Sequence, residues 1–183
     1  MIHTPFAATS PDQLQAAWRG MERCLERGLA RNIGLSNFAL SHLKAVLEVA
    51  TVKPAMNQIE MHPYLQQPEL QDFLKKQNIA VEGFASLTPL TKAAPGPVDP
   101  ICANLAEKYH VSQSAIMLRW VIDQGASVVT TSGRRDRLEG YLREVPSFTL
   151  TPGEVVEISR VSVGKRFRGF FTEDFETLEK IQC

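Results

Sequence analysis

The sequence predicts an α/β fold in which short parallel strands alternate with helices. Short apolar runs alternate along the 183-residue chain with amphipathic stretches of helical periodicity. Capping boxes and prolines mark where several of these helices begin. Polar clusters follow the apolar runs, which is where parallel α/β folds place their functional side chains. Strands and helices that alternate in this way imply a parallel sheet with right-handed crossovers.

The first predicted elements are a strand at residues 1–4 and a long helix. Ser10-Pro11-Asp12-Gln13 has the form of a capping box with proline at the first helical position. Gly28 ends this helix, because glycine is favoured just after a helix C-terminus. The apolar residues at helical spacing in between are Leu14, Ala17, Trp18, Met21 and Leu25.

Two strand–helix pairs and one further strand come next. Apolar runs at 33–35, 55–59 and 79–83 predict the strands. The helix after the first run carries Leu43, Val46, Leu47 and Ala50, and the helix after the second run opens at Pro68 and carries Leu70, Phe73 and Leu74.

The second half of the chain continues this pattern after a proline-rich loop. Its tail, from Lys165 to Cys183, is aromatic and mixed in charge. The elements predicted between loop and tail are helices from Asp99 and from Ser112, a buried strand at 126–129, a helix carrying Leu138 and Leu142, and a last helix opened by the capping box Thr151-Pro152-Gly153-Glu154.

These elements amount to about five βα units, which fit either an open doubly wound sheet or part of a (β/α)8 barrel. A whole barrel takes about 250 residues, more than this chain has. GxGxxG, the P-loop lysine motif, HExxH and GxSxG are all missing from the sequence, which weakens the open-sheet alternative. We therefore expect a partial (β/α)8 TIM-type barrel, forming a single truncated domain over residues 1–183.

Composition narrows the classes of function. The chain is 44% hydrophobic and 22% charged with a formal net charge of zero, so one core is expected and no overall field attracts nucleic acid or a membrane. Cys24, Cys102 and Cys183 are an odd number without CxxC spacing, which argues against a disulfide framework or a zinc site. The N-terminus resembles no signal peptide and no apolar run reaches 18 residues. We expect a soluble, cytoplasmic protein without a metal and without nucleic-acid or membrane partners.

The polar clusters carry a family resemblance. GLSNF at 34–38 and NQIEMHPYL at 57–65 are specific when they occur together. IHTP at 2–5 precedes them, and GFASL at 83–87 and TTSGR at 130–134 follow. In this order the clusters resemble the aldo-keto reductase family from its fourth strand to its C-terminus, over nearly the whole chain. The resemblance implies the later part of a (β/α)8 barrel.

The resemblance implies roles for four polar residues in the first half of the chain. His3 matches the histidine of the family's Asp, Tyr, Lys, His tetrad, which helps to orient the substrate carbonyl. Ser36, Asn37 and Gln58 match the three side chains that hold the nicotinamide carboxamide, a group that needs both a donor and an acceptor. Without the resemblance, each would be an ordinary polar residue at a strand end.

Further cofactor contacts are implied in the second half. Phe84 stands where the family usually has a tyrosine that stacks on the nicotinamide, and Leu87 matches a residue that packs along the cofactor. Ser132, Arg134 and Arg137 lie around the start of a predicted helix, where backbone N–H groups favour an anion. Arg137 matches the arginine that binds the 2′-phosphate of NADP(H). Without the resemblance, Phe84 and Leu87 would be interpreted as apolar core residues. The arginines would be interpreted as a solvated run.

Several positions depart from the family pattern. Ala85 replaces a common serine, and Thr131 replaces the lysine that contacts the 2′-phosphate. Gly140 and Tyr141 stand where the family often has Glu and Asn for the adenine. We therefore expect NADP(H) to bind more weakly than it binds to a complete family member.

The resemblance implies an NADP(H)-dependent reductase that acts on a small-molecule carbonyl. In the family, a hydride moves to the carbonyl while a tyrosine, whose pKa a lysine lowers, protonates the oxygen. That tyrosine, the lysine and an aspartate belong to the first three strands, and this sequence begins after them. Either a shortened product has been kept for another task, or the missing half is encoded elsewhere. We expect activity that is impaired or that needs a partner.

A second hypothesis is a non-redox protein on a partial barrel. It would be a binding subunit, or an isomerase or dehydratase that uses His3, His62 or Tyr64 as acid and base. In either case the open strand edges favour self-association or a partner chain. The alternative is that the aromatic tail covers the opening with Phe167, Phe170, Phe171 and Phe175.

Overall fold

The computed structural model describes residues 1–182, and the side chains of residues 1–179. Cys183 lies outside the described residues. In chain order the strands and α-helices are α1 (Pro11–Glu26), β1 (Leu35–Ser36), α2 (Leu40–Leu47), β2 (Met56–Glu60), α3 (Pro68–Gln77), β3 (Ala80–Phe84), α4 (Asp99–Tyr109), α5 (Gln113–Ile122), β4 (Ser127–Val128), α6 (Arg135–Glu144), α7 (Pro152–Val161) and α8 (Thr172–Gln182). Short 3₁₀ turns lie at Thr88–Leu90 and Val145–Ser147.

The strands form a parallel sheet in the order β1-β2-β3-β4. Leu35 is opposite Asn57 and Ser36 is opposite Gln58 in the parallel ladder between β1 and β2. Ahead of them, Ile2 forms one parallel bridge with Leu35. The α/β class with parallel strands is confirmed. The strand expected at residues 1–4 is reduced to that single bridge, and β1 begins two residues later than predicted.

The chain divides into two compact units by its internal contacts. The first contains residues 1–59 and 67–82, and the second contains residues 60–66 and everything from Gly83 onward. That the 183 residues form one domain stays a prediction.

The first unit packs around the inner face of α1. Trp18 is fully buried, and its indole N–H donates to the carbonyl of Val52 at 3.1 Å. One turn later, Glu22 is only 6% exposed and accepts hydrogen bonds from the amides of Thr51 and Val52 at 2.7 and 2.8 Å. Burial alone would raise the pKa of Glu22, but these N–H donors and the Thr51 hydroxyl bring the pKa below its ordinary value.

The second unit packs around α5, which is buried on most of its faces. Trp120 is fully buried, and its indole N–H lies 3.3 Å from the carbonyl of Val155 and 3.2 Å from the hydroxyl of Ser159. Each Trp therefore has a hydrogen-bond acceptor inside its own core, which offsets the cost of burying an indole N–H.

Helix starts follow the local sequence closely. Thr151 and Glu154 form both bonds of the predicted capping box at the start of α7. Ser10 caps α1 by accepting from the amide of Gln13, as predicted. The reciprocal bond differs, because the Gln13 side chain accepts from the amide of Thr9 at 2.8 Å instead of from that of Ser10.

Two elements of the second unit differ from their predictions. The strand expected to be buried at 126–129 is shortened to β4, and Val129 is 41% exposed. The tail contains a helix, α8, that the sequence pattern did not indicate.

Within residues 1–182, no helix is both long enough and apolar enough to cross a membrane.

Candidate functional site

The first unit brings together the four polar residues predicted in its half of the chain. Asn37 has a left-handed backbone with φ of 63°, and its side-chain amide donates to the carbonyl of His3 at 2.9 Å and to the hydroxyl of Ser36 at 3.1 Å. The carbonyl of Gln58 accepts from the Ser36 hydroxyl at 3.0 Å and from the Asn37 amide at 2.8 Å. Three separate segments are thus fixed to one another beside the end of β1 and the middle of β2.

These four residues differ in how accessible they are. Ser36 is 1% exposed and Asn37 is 4% exposed, whereas His3 is exposed and Gln58 is half-buried. The Gln58 amide N–H donates to the carboxylate of Glu82 in a short hydrogen bond. Sequence reasoning missed Glu82. It is the carboxylate that holds the Gln58 side chain in one orientation.

The second unit contains a cavity of about 510 Å³, within the range of roughly 300–1,000 Å³ usual for small-molecule sites. Four residues predicted as cofactor contacts line it: Phe84, Leu87, Ser132 and Arg137. Arg134 is not among the lining residues, and its guanidinium pairs with Asp136 at 2.5 Å. That pairing raises the pKa of Arg134, because its guanidinium donates hydrogen bonds to the Asp136 carboxylate.

Positive charge and hydroxyl groups dominate the polar part of this cavity. Its charged lining side chains are Arg137 and Lys92, and no carboxylate is found among the described residues that line it. Arg137 lies in the first turn of α6, where the helix dipole adds to the positive potential. The aliphatic hydroxyl groups belong to Thr88, Thr91, Thr130, Thr131 and Ser132. An anionic ligand with several acceptor oxygens fits such a lining best.

Aromatic side chains line the same cavity. Phe84 and Phe170 meet edge to face with ring centroids 5.3 Å apart, and Tyr141 contributes a third ring. Arg137 and Tyr141 are four residues apart on α6, so they share one face of that helix. Sequence reasoning had not placed Lys92 or Phe170 in the site, and had noted Tyr141 only as a departure from the family pattern.

A buried carboxylate joins the tail to the end of β2. Glu60 is 1% exposed. Its carboxylate accepts from the backbone amide of Gly169 at 2.9 Å and from that of Phe170 at 3.2 Å. It also accepts from Nε2 of the buried His62 at 3.1 Å. A Cβ at position 169 would lie 3.2 Å from Oε1 of Glu60, so this close approach favours glycine. The tail is thereby fixed with Phe170 at the cavity.

His62 and Tyr64 are both buried, at 0% and 2% exposure. The Tyr64 hydroxyl accepts from the amide of Val98 at 3.3 Å, and burial raises its pKa. Tyr109, on α4, donates to Glu154 at 2.8 Å. His62 and Tyr64 therefore support the packing of the second unit, and no ligand reaches them without rearrangement.

The sequence matches the model of the aldo/keto reductase family over residues 1–162. It is 35% identical to the NAD/NADP-dependent indole-3-acetaldehyde reductase of Schizosaccharomyces pombe, covering 93% of this chain and 61% of that protein. It is 37% identical to the NADPH-dependent alpha-keto amide reductase of Saccharomyces cerevisiae, covering 89% of this chain and 54% of that protein.

Solved structures give the same result. An aldo-keto reductase from a deep-sea metagenome library superimposes with a TM-score of 0.81 at 30% identity, over 90% of this chain and 60% of that one. An aldo-keto reductase of Bombyx mori in complex with NADP superimposes with a TM-score of 0.76 at 29% identity, over 84% of this chain and 52% of that one. The chain thus spans little more than half the length of these relatives, which confirms the partial barrel. The predicted resemblance is confirmed as well, and the chain belongs to the aldo/keto reductase family.

Proposed function

We propose that this chain is the cofactor-binding part of an NADP(H)-dependent oxidoreductase that reduces a small-molecule carbonyl to an alcohol. The observation that carries the proposal is the cavity of the second unit, which combines two cations, five aliphatic hydroxyl groups and a half-buried Phe84, with no carboxylate among its described lining residues. This lining fits the phosphates and flat rings of a dinucleotide. The relatives above are named as NAD(P)-dependent reductases, which supports the same assignment.

The proposed roles follow from the chemistry of each group. Ser36, Asn37 and Gln58 hold the carboxamide, because a hydroxyl and two amides supply both donors and acceptors. Since the Gln58 N–H is engaged with Glu82, the Gln58 oxygen is the atom that receives an amide N–H of the ligand.

In the second unit, Phe84 and Leu87 provide apolar contact and Ser132 a hydroxyl. Arg137 provides charge for the 2′-phosphate. Arg134 adds positive potential from the N-terminus of α6, though it reaches no cavity wall.

The bound cofactor would supply a hydride, and the chain would orient the carbonyl through His3. A proton must also reach the carbonyl oxygen, and in this family a tyrosine gives it. Tyr64 is buried and Tyr109 is bonded to Glu154, so neither is available for that step. The third tyrosine, Tyr141, lines the cavity one helical turn from Arg137, beside the residue assigned to the 2′-phosphate and not beside those assigned to the nicotinamide. We therefore propose that NADP(H) binding is weakened and that reduction by this chain alone is impaired. The free thiols of Cys24 and Cys102 fit a reducing compartment, which favours the cytoplasm.

NADPH titration followed by nicotinamide fluorescence tests the proposal directly, and Arg137→Ala tests the phosphate assignment. We expect the variant to lose about tenfold in affinity for NADPH and much less for NADH, since only NADPH carries the 2′-phosphate that pairs with the guanidinium. Arg160→Ala, an exposed arginine in the last turn of α7, is the matched control and should leave both affinities unchanged. Equal losses for the two cofactors would contradict the assignment of Arg137.

We also propose that the chain self-associates or binds a partner chain. β4 ends the strand order and pairs with β3 alone among the described strands. In the same unit Leu142 is 79% exposed and Val129 is 41% exposed. An open strand edge beside apolar side chains recruits another strand or surface. Light scattering coupled to size-exclusion chromatography should show a species larger than one chain, and a stable monomer that binds no hydrophobic dye would contradict this expectation.

A further inference from the structure

Lys92 is the second cation of the cavity, and it comes from a different part of the chain than Arg137. It follows the 3₁₀ turn Thr88–Leu90 after β3, whereas Arg137 belongs to α6 after β4. On the β4 side the cavity is lined by Thr131, an uncharged residue. Arg137 is therefore the one cation that the segment after β4 contributes to the described cavity lining, and Lys92 adds a second charge from the loop that follows β3.

The ammonium group of Lys92 is held at the cavity although the residue is exposed. Its Nζ lies 4.2 Å from the ring centroid of Phe170, at the distance of a cation–π contact. Phe170 packs edge to face on Phe84, and its backbone amide donates to the buried carboxylate of Glu60 at 3.2 Å. A buried group therefore fixes the ring on which the lysine rests. Phe170 and Lys92 both line the cavity.

The contact with Phe170 occupies only part of the ammonium group of Lys92. An ammonium has three N–H donors and no acceptor, and the contact with Phe170 uses one face of it. Thr88 and Thr91 lie within four residues of Lys92 and also line the cavity, so their hydroxyls accompany the charge. The absence of a lining carboxylate means that no acidic side chain of the cavity neutralises Lys92.

We propose that Lys92 binds the diphosphate of a nucleotide in this cavity, with Phe170 as the residue that positions it. The proposal rests on the proposed dinucleotide function and deepens it by assigning the two cations to different parts of the ligand. Arg137 meets the 2′-phosphate, which only one of the two cofactors has. Lys92 meets the diphosphate, which both have.

The test uses inorganic diphosphate and ADP as probes, measured by ³¹P NMR and by calorimetry on the full chain. Lys92→Met keeps the length of the side chain and removes its charge, and should weaken both probes by about tenfold. Lys92→Arg should restore most of the affinity. Lys76→Met, an exposed lysine in the last turn of α3, is the matched control and should bind both probes like the unaltered chain.

Adenosine is the control ligand for the contact between the Lys92 charge and the diphosphate. It lacks the diphosphate, so it should bind equally to all variants. NADH and NADPH should lose the same factor on Lys92→Met, in contrast to Arg137→Ala. Unchanged diphosphate affinity in Lys92→Met, or no diphosphate binding to the unaltered chain, would overturn the proposal. Because the probes need no hydride transfer, a chain that binds diphosphate through Lys92 yet never reduces a carbonyl would contradict only the proposed reductase function.

Discussion

Replacing Glu60 by glutamine should destabilise the second unit and release its tail. The Glu60 carboxylate accepts from two tail amides and from His62 in a nearly inaccessible position. A glutamine has the same shape but only one acceptor oxygen, and its NH₂ group would face an N–H donor. Removing one partner of a buried charged network commonly costs about 3–5 kcal/mol. His62 would also lose the acceptor for Nε2, while its Nδ1 already has no hydrogen-bond partner among the described residues.

Urea unfolding and limited trypsin digestion measure the two consequences. We expect the free energy of unfolding to fall by about 3 kcal/mol in Glu60→Gln, since bonds to charged groups are among the stronger ones. Faster cleavage is expected around Lys165, Arg166 and Arg168, because the amides that fix this segment would be freed. Glu157→Gln, an exposed carboxylate on α7, is the control and should change neither measurement. A Glu60→Gln chain as stable and as protease-resistant as the control would show that the tail is held elsewhere.

A protein made of these 183 residues alone should reduce an aromatic aldehyde with NADPH about 10² to 10⁴ times more slowly than a complete family member. This is the range that general acid catalysis contributes. Tyr64 and Tyr109 are engaged in the packing of the second unit, and Tyr141 lies one helical turn from Arg137, the residue assigned to the 2′-phosphate. Fusing a segment that carries the family's aspartate, tyrosine and lysine should restore the rate. Single-turnover measurement at saturating NADPH separates the chemical step from weak cofactor binding.

The residual activity should depend on His3. We expect His3→Asn to lower it further, whereas His110→Asn should not, because His110 lies at the C-terminus of α4 and takes no part in the proposed reaction. A rate equal to that of complete family members, unaffected by loss of His3, would mean that the chain holds a proton donor other than the family's tyrosine.

The order and the starts of the helices could be predicted because they depend on neighbours in sequence. The hydroxyls of Ser10 and Thr151 reach amides three residues ahead, and Pro68 stands at the first position of α3. Such signals are complete within one helical turn. The strand positions at β2 and β3 were predicted to within one residue for the same reason, because their apolar runs are short and clearly bounded.

The site residues were predicted unevenly. Ser36, Asn37 and Gln58 were identified by resemblance and prove to be joined by hydrogen bonds, although their role toward a cofactor stays a prediction. Lys92 and Phe170 were missed because no local pattern relates them. They are 78 residues apart in sequence, and only the path of the tail brings the ring beneath the ammonium.

The sequence by itself determined the family, the α/β class and the alternation of strands with helices, since motifs and periodicity are local properties. Only the tertiary structure decided how long each strand is, because pairing depends on partners that the neighbouring residues do not specify. It reduced the first strand to one bridge at Ile2 and shortened β4 to two residues. It also decided that Glu60, a polar residue in a recognised motif, is buried against amides 109 and 110 residues away. A carboxylate is stable in such a place only when distant donors surround it, and no window of the sequence contains them.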